Sequence, residues 1–127
     1  MSTQPISALI ISEPGPIQDG LWDLLSALPH VKLIGAVADP NEGVKIVKKK
    51  RPSLILLANH FKRGDIRSAV KEIKTADPRV ICIVVASDVE QKKIASEAGA
   101  DSVQMTGFPA GDLYYTIQQL LDMHAAG

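Results

Sequence analysis

Short runs of valine, isoleucine and leucine alternate along the chain with segments in which apolar residues recur at helical spacing. The runs alternate little with polar residues, which is typical of strands that are covered on both faces in a parallel sheet. The pattern predicts five β-strands, at residues 8–11, 31–37, 54–57, 80–85 and 103–105.

The segments between the strands predict five helices, because they have apolar stripes or recognisable end signals. The second helix is expected after Asp39 and before Pro52, the third over residues 66–76, and the fifth from about Pro109. Ser87 and Glu90 have the spacing of a capping box at the start of the fourth helix. The stripe of the first helix consists of Ile17, Leu21, Leu24, Leu25 and Leu28.

The strand–helix order, repeated five times without an internal linker, predicts one domain over residues 1–127 with a doubly wound α/β fold. In such folds the functional crevice lies at the carboxyl ends of the strands. The candidate site residues are therefore Ser12, Glu13, Ala58, Asn59, His60, Val84, Val85, Ala86, Ser87, Thr106 and Gly107.

Composition narrows the class of partner and compartment. The 14 basic and 14 acidic side chains give a formal net charge of zero, which argues against direct nucleic-acid binding by this domain. No apolar run reaches the roughly 18 residues of a membrane span, and the amino terminus lacks a signal-peptide pattern. The single cysteine, Cys82, cannot form an internal disulfide and lies in an apolar run. We therefore predict a cytoplasmic protein with an inert core thiol and no membrane partner.

The sequence offers no recognisable catalytic constellation. Gly15 and Gly20 have the spacing of a phosphate-binding loop, but Leu21 stands where the lysine of that loop would follow. The three histidines lie in separate segments without the spacing of metal ligands. No serine or cysteine has both a base and an orienting acid that the sequence can supply. We predict no enzymatic activity, no cofactor and no bound metal.

Three stretches carry a resemblance to a known family. Residues 11–25 join a strand end with Ser12-Glu13 to a helix containing Gly20-Leu21, residues 51–57 run into the third strand, and residues 97–101 lead into the fifth. Together they resemble the receiver domain of bacterial response regulators, most closely receivers that precede a helix-turn-helix DNA-binding domain. The resemblance covers about residues 6–121. It implies a flavodoxin-like αβα sandwich with strand order 2-1-3-4-5.

The resemblance also implies a chemistry for the crevice. Family members transfer a phosphoryl group from a histidine kinase to an aspartate that ends the third strand, with magnesium held by carboxylates. A hydroxyl that ends the fourth strand and a lysine that ends the fifth then contact the phosphoryl group. Here the aspartate position is Ala58, the acidic pair is Ser12 and Glu13, the hydroxyl position is Val84 or Val85, the lysine position is Thr106, and the aromatic switch position is Val103.

These departures predict a degenerate receiver that signals by protein contact without phosphorylation, in transcription control. Two alternatives stay open. The less polar crevice is compatible with a small-ligand sensor, and a misaligned site would allow a conventional phospho-receiver, for which Asp65 is the nearest acid. Asn59 and His60, beside the lost aspartate, are interpreted as loop residues.

The aromatic residues predict where such a contact would form. Trp22 lies off the apolar stripe of the first helix, and Tyr114 and Tyr115 flank the stripe of the last. Tryptophan and tyrosine are over-represented among residues that dominate binding energy. We therefore predict a protein partner, with a homodimer through the first and last helices as one form. The alternative is that these rings fill the seam between the two helices.

Overall fold

Five strands and five helices alternate in the computed structural model, which describes residues 6–58, 63–107 and 110–126. The strands are β1 (Ile6–Ser12), β2 (Val31–Val37), β3 (Leu54–Ala58), β4 (Ile81–Ala86) and β5 (Ser102–Met105). The helices are α1 (Pro16–Ser26), α2 (Pro40–Lys50), α3 (Arg63–Ala76), α4 (Val89–Ala98) and α5 (Ala110–Ala126).

The strands form one parallel sheet in the order β2-β1-β3-β4-β5, which confirms the predicted fold and strand order. β3 and β4 are buried along their whole length, as expected for runs without polar alternation. β1 and β3 are neighbours in the sheet, but the helices that follow them, α1 and α3, pack on opposite faces. Where two such connections diverge, a crevice opens at the carboxyl ends of the two strands. No helix in the described part of the chain is long and apolar enough to span a membrane.

The two faces of the sheet have separate hydrophobic clusters. One cluster joins α1 and α5 to side chains such as Ile10, Leu56 and Val85. The other joins α2, α3 and α4 to side chains such as Ile11 and Val84. The helices therefore form two layers, which we call the α1–α5 layer and the α2–α4 layer.

Two local predictions are wrong by small shifts. Ile17 was placed on the apolar stripe of α1, but it is 42% exposed, because it lies in the first turn, ahead of the buried residues Leu21 and Leu25. The cap of α4 is Asp88 rather than Ser87: Asp88 Oδ1 accepts a hydrogen bond from the backbone N–H of Gln91 (2.7 Å). Pro109, predicted as the start of α5, lies outside the described residues, as do the loop residues Asn59 and His60.

The Gly99–Asp101 segment has a structural explanation. Gly99 ends α4 with φ 112°, a left-handed conformation that favours glycine. Two residues later, Asp101 Oδ2 accepts hydrogen bonds from the Cys82 backbone N–H (2.8 Å) and from Lys74 Nζ (3.0 Å). Lys74 Nζ also donates to the Val80 carbonyl oxygen (2.7 Å). The motif therefore ties α3, β4 and the approach to β5 together.

Cys82 lies inside this network as a buried thiol. Burial, followed by the charge of the nearby Asp101 carboxylate, raises the pKa of Cys82 to about 12. The thiol therefore stays protonated at neutral pH, and it lacks the thiolate character that reactive cysteines need.

Candidate functional site

A cavity of about 200 Å³ opens at the carboxyl ends of β1, β3, β4 and β5. It lies where the topology of the sheet predicts a crevice. Its lining includes five of the family site positions that the sequence singled out: Ser12, Glu13, Ala58, Val85 and Thr106. The full lining is Ser12, Glu13, Pro14, Gly15, Pro16, Ile17, Ala58, Val85, Ser87 and Thr106.

The register of the sheet explains why these residues meet. Ser12 and Ala58 are direct partners at the last position of the β1–β3 ladder. Thr106 follows β5, and its backbone N–H donates to the Ala86 carbonyl oxygen at the end of β4 (2.9 Å). Parallel strands therefore bring residues that are about 45 positions apart in sequence to one edge.

Strand alternation distinguishes the two valines that the sequence left as alternatives. Val85 belongs to the cluster of the α1–α5 layer and lines the crevice. Val84 points to the opposite face and packs in the cluster of the α2–α4 layer. Val103, on β5, is half-buried and packs against that same α2–α4 cluster. Of these three residues, only Val85 contributes to the crevice.

The polar groups of the crevice bond to the backbone around them. Ser12 is 2% exposed, and its hydroxyl donates to the Glu13 carbonyl oxygen (3.1 Å). Gln18 Nε2, from the first turns of α1, donates to the Ser12 carbonyl oxygen (2.9 Å). Gln18 was not predicted from the sequence, and only its position six residues after a strand end could have drawn attention to it. Glu13 is exposed at the rim.

The side chains present do not fit the magnesium site that the family resemblance implies. Ser12 and Ala58 are neighbours across the β1–β3 ladder, and neither has a carboxylate. Magnesium demands near-octahedral oxygen coordination anchored by carboxylates, and Glu13 is the one carboxylate among the described residues that line this cavity. Within the described ranges, no group of three or more histidine, cysteine, aspartate or glutamate side chains could hold a metal. Asp65, the acid considered for a shifted register, lies within α3 and beyond the end of β3.

A second cavity, of about 260 Å³, adjoins the first and is more apolar. It shares four residues with the crevice and extends along α1 toward the loop after β5. Its lining is Pro16, Ile17, Gly20, Leu21, Leu24, Val85, Thr106 and Gly107. The exposed Ile17 side chain therefore lies at the boundary of two adjacent cavities.

The three aromatic residues are exposed on the α1–α5 layer. Trp22 and Tyr114 are each 43% exposed and Tyr115 is 62% exposed. Trp22 lies about 160° around α1 from Leu24, by helical spacing. Because Leu24 lines the cavity next to Gly107, Trp22 lies on the side of α1 remote from that cavity. The three rings are therefore partly exposed on this layer, and their role in a contact stays a prediction.

Comparison with known proteins finds relatives among the response regulators. The chain is 28% identical over 110 residues to the transcriptional regulatory protein LiaR of Bacillus subtilis, which is 85% of this chain and 52% of LiaR. It is 28% identical over 123 residues to a protein-glutamate methylesterase/protein-glutamine glutaminase of Desulfitobacterium hafniense, which is 93% of this chain and 31% of that enzyme. The chain thus spans about half of one relative and about a third of the other.

Solved structures show the same fold. The receiver domain of a sensor histidine kinase from Pseudomonas aeruginosa, with magnesium in its active-site cleft, has a TM-score of 0.81 at 20% identity. The match covers 93% of this chain and 98% of that domain. No protein-family model matches the sequence. The chain is therefore similar in sequence to response regulators and has the fold of their receiver domains, which supports its recognition as a receiver domain.

Proposed function

We propose that this receiver domain signals without phosphoryl transfer, through contact with a protein partner. The observation that supports the proposal is the pairing of Ala58 with Ser12 at the ends of β3 and β1. A methyl group cannot attack phosphorus, and a neutral hydroxyl does not replace a carboxylate that anchors magnesium.

The other crevice positions have changed in the same direction. Val85 and Thr106 line the crevice, at positions where the family resemblance implies a hydroxyl and a lysine that contact the phosphoryl group. Neighbouring carboxylates repel one another unless a cation such as magnesium or lysine offsets their charge. A crevice without that cluster of carboxylates does not need the cation. The absence of the acids, the hydroxyl and the lysine is therefore consistent with a crevice that does not bind a phosphoryl group. LiaR is a transcriptional regulatory protein, and we extend transcription control to this chain as part of the proposal.

Calorimetric titration with magnesium chloride tests the proposal directly. We expect no saturable heat at low-millimolar magnesium, because the crevice lining has one carboxylate, on Glu13 at the rim. The matched control is the double variant Ser12→Asp and Ala58→Asp, which returns carboxylates to both strand ends and should gain a saturable signal. One-to-one binding by the unaltered protein would contradict the proposal.

The exposed face of the α1–α5 layer is the contact surface that we propose. Replacing Trp22 and Tyr115 together with alanine should weaken self-association in analytical ultracentrifugation while lowering the melting temperature less than a core substitution does, because the two residues are 43% and 62% exposed. The control Leu25→Ala removes a fully buried side chain and should cost about 2–5 kcal/mol of unfolding free energy. Severe unfolding of the double variant would show that the rings are structural, and would move the contact surface elsewhere.

Small-ligand sensing is a second candidate function, favoured by the apolar cavity beside the crevice. Under this reading an uncharged aromatic such as indole raises the melting temperature. Gly20→Leu should abolish the effect, because a side chain there meets no heavy atom within 4 Å and would extend into the cavity. Gly111→Leu, equally open but on α5 away from the cavity, is the matched control. If indole stabilises neither the protein nor the control variant, this candidate is discarded.

A further inference from the structure

The net charge of zero conceals a separation of charge between the two helical layers. α1 and α5 contain exposed aspartates and no lysine or arginine. The exposed charges of α2, on the other face of the sheet, are lysines except for one glutamate. The α1–α5 aspartates are Asp19, Asp23, Asp112 and Asp122, and the charged residues of α2 are Glu42, Lys45, Lys48, Lys49 and Lys50.

The two layers also differ in shape. A groove of about 780 Å³ lies between α2 and α3 on the basic side. Its walls include Lys45 and Lys48, and its lining is completed by Asn41, Val44, Glu72, Thr75 and Ala76. The acidic side has no residue of opposite charge on its helices and presents the exposed rings of Trp22 and Tyr115. One layer therefore presents exposed aromatic rings and aspartates, and the other presents a groove whose charged lining residues are two lysines and one glutamate.

The acidic α1–α5 layer of one copy and the groove between α2 and α3 of another copy are suited to contact each other. A protruding apolar side chain that fits a hollow elsewhere on the same molecule produces a head-to-tail contact, which repeats from copy to copy. Opposite charges around the contact favour encounter and fix its orientation. A net charge of zero leaves no overall repulsion to oppose association.

The charge pattern argues against the two-fold homodimer that the sequence predicted through the first and last helices. In a two-fold contact the same surface meets itself. The aspartates of α1 and α5 would then face a surface that has the same aspartates, with no lysine or arginine on either helix to offset them. Like charges in direct opposition are unfavourable, most of all at low ionic strength.

We propose that the domain self-associates head-to-tail, with the acidic face of α1 and α5 seated on the lysine-lined groove between α2 and α3 of the next copy. The proposal rests on the contact part of the proposed function and names the partner as a second copy of this chain. It is independent of the phosphoryl chemistry, because none of the residues that carry it lines the crevice.

Sedimentation equilibrium of the unaltered protein provides the first test. In dilute salt the weight-average mass should rise continuously with concentration, without levelling off at twice the 13.6 kDa of one chain. High salt should return the mass to that of a single chain, because the attraction between exposed charges is screened. A plateau at the dimer mass, or a single chain at every concentration in dilute salt, would overturn the proposal.

Charge reversal on each surface provides the second test. Asp23→Lys with Asp122→Lys should weaken association about tenfold, and so should Lys45→Glu with Lys48→Glu, because each change opposes like charges. The aspartate pair lies near the carboxyl ends of its helices, where lysine is favourable, so folding should be preserved. Mixing the two variants should restore association, because the reversed surfaces are complementary to each other.

A matched control separates the proposed surfaces from general charge effects. Lys92→Glu with Lys93→Glu makes the same change in net charge as the groove variant, at exposed positions on α4 outside the groove. This control should associate like the unaltered protein, within about twofold. Equal weakening by the control and the groove variant would overturn the proposal, as would failure of the mixture to recover. Either result would leave the predicted absence of phosphoryl transfer untouched, since that rests on a separate measurement.

Discussion

Incubation of the protein with acetyl phosphate and magnesium is expected to leave its intact mass unchanged. The family reaction needs a carboxylate at the end of β3, and Ala58 has only a methyl group at that position. Its neighbour across the ladder, Ser12, lacks the carboxylate that would hold the metal. The expected effect is all-or-none, because the bond to phosphorus has no acceptor atom at the required place. Intact-mass spectrometry at neutral pH, without an acid step that would hydrolyse an acyl phosphate, measures it.

Two controls make this result interpretable. A conventional receiver domain treated in parallel should gain the phosphoryl adduct, which shows that the donor is competent. The variant Ser12→Asp, Ala58→Asp, Val85→Thr and Thr106→Lys returns the family groups to the crevice lining. A gain of the adduct by this variant would show that side-chain chemistry, and not the fold, is what prevents transfer. A stoichiometric adduct on the unaltered protein would refute phosphorylation independence.

Asp101→Ala is expected to lower the free energy of unfolding by about 2–4 kcal/mol, since charged hydrogen bonds contribute more than neutral ones. The substitution removes the acceptor of the buried Cys82 backbone N–H and the partner of Lys74 Nζ. The Lys74 and Asp101 side chains are each only 21% exposed, so water compensates in part. Urea denaturation monitored by circular dichroism gives the change, with an unaltered slope as evidence of two-state unfolding.

Asp101→Asn is the matched variant for that measurement. An asparagine oxygen still accepts from the Cys82 N–H, while the attraction between opposite charges is lost, so we expect a cost of about 1 kcal/mol. Equal costs for the alanine and asparagine variants would assign the effect to the ion pair with Lys74 rather than to the Cys82 hydrogen bond. A cost under about 0.5 kcal/mol for alanine would contradict the structural role given to the motif.

Some residues of the crevice could be predicted from the sequence and others could not. The position of Ala58 was predictable to within one residue, because the apolar run predicted β3 over residues 54–57 and the strand ends at Ala58. The choice between Val84 and Val85 was not, because alternation shows only that the two valines face opposite sides of the sheet. Which side holds the crevice depends on where α1 and α5 pack. Gln18 was missed because its partner is a backbone oxygen on another element.

The charge separation is a second feature that composition concealed. The 14 basic and 14 acidic residues cancel in the sum, which does not show where the charges lie in the fold. The separation arises because the topology places α1 and α5, from opposite ends of the chain, in one layer. Helix assignment alone could have located the aspartates and lysines. Only the layer arrangement shows that they lie on opposite faces of the sheet.

The sequence by itself determined the elements and their order, and it predicted the carboxyl end of each strand to within one residue. These depend on periodicity, which is a property of neighbouring residues along the chain. The tertiary structure decided which side chains share the crevice, why Asp101 is needed, and where the exposed charges and rings lie. Those features depend on packing between elements that are distant in sequence, and hydrophobic patterning specifies that two elements pack without specifying which polar groups meet.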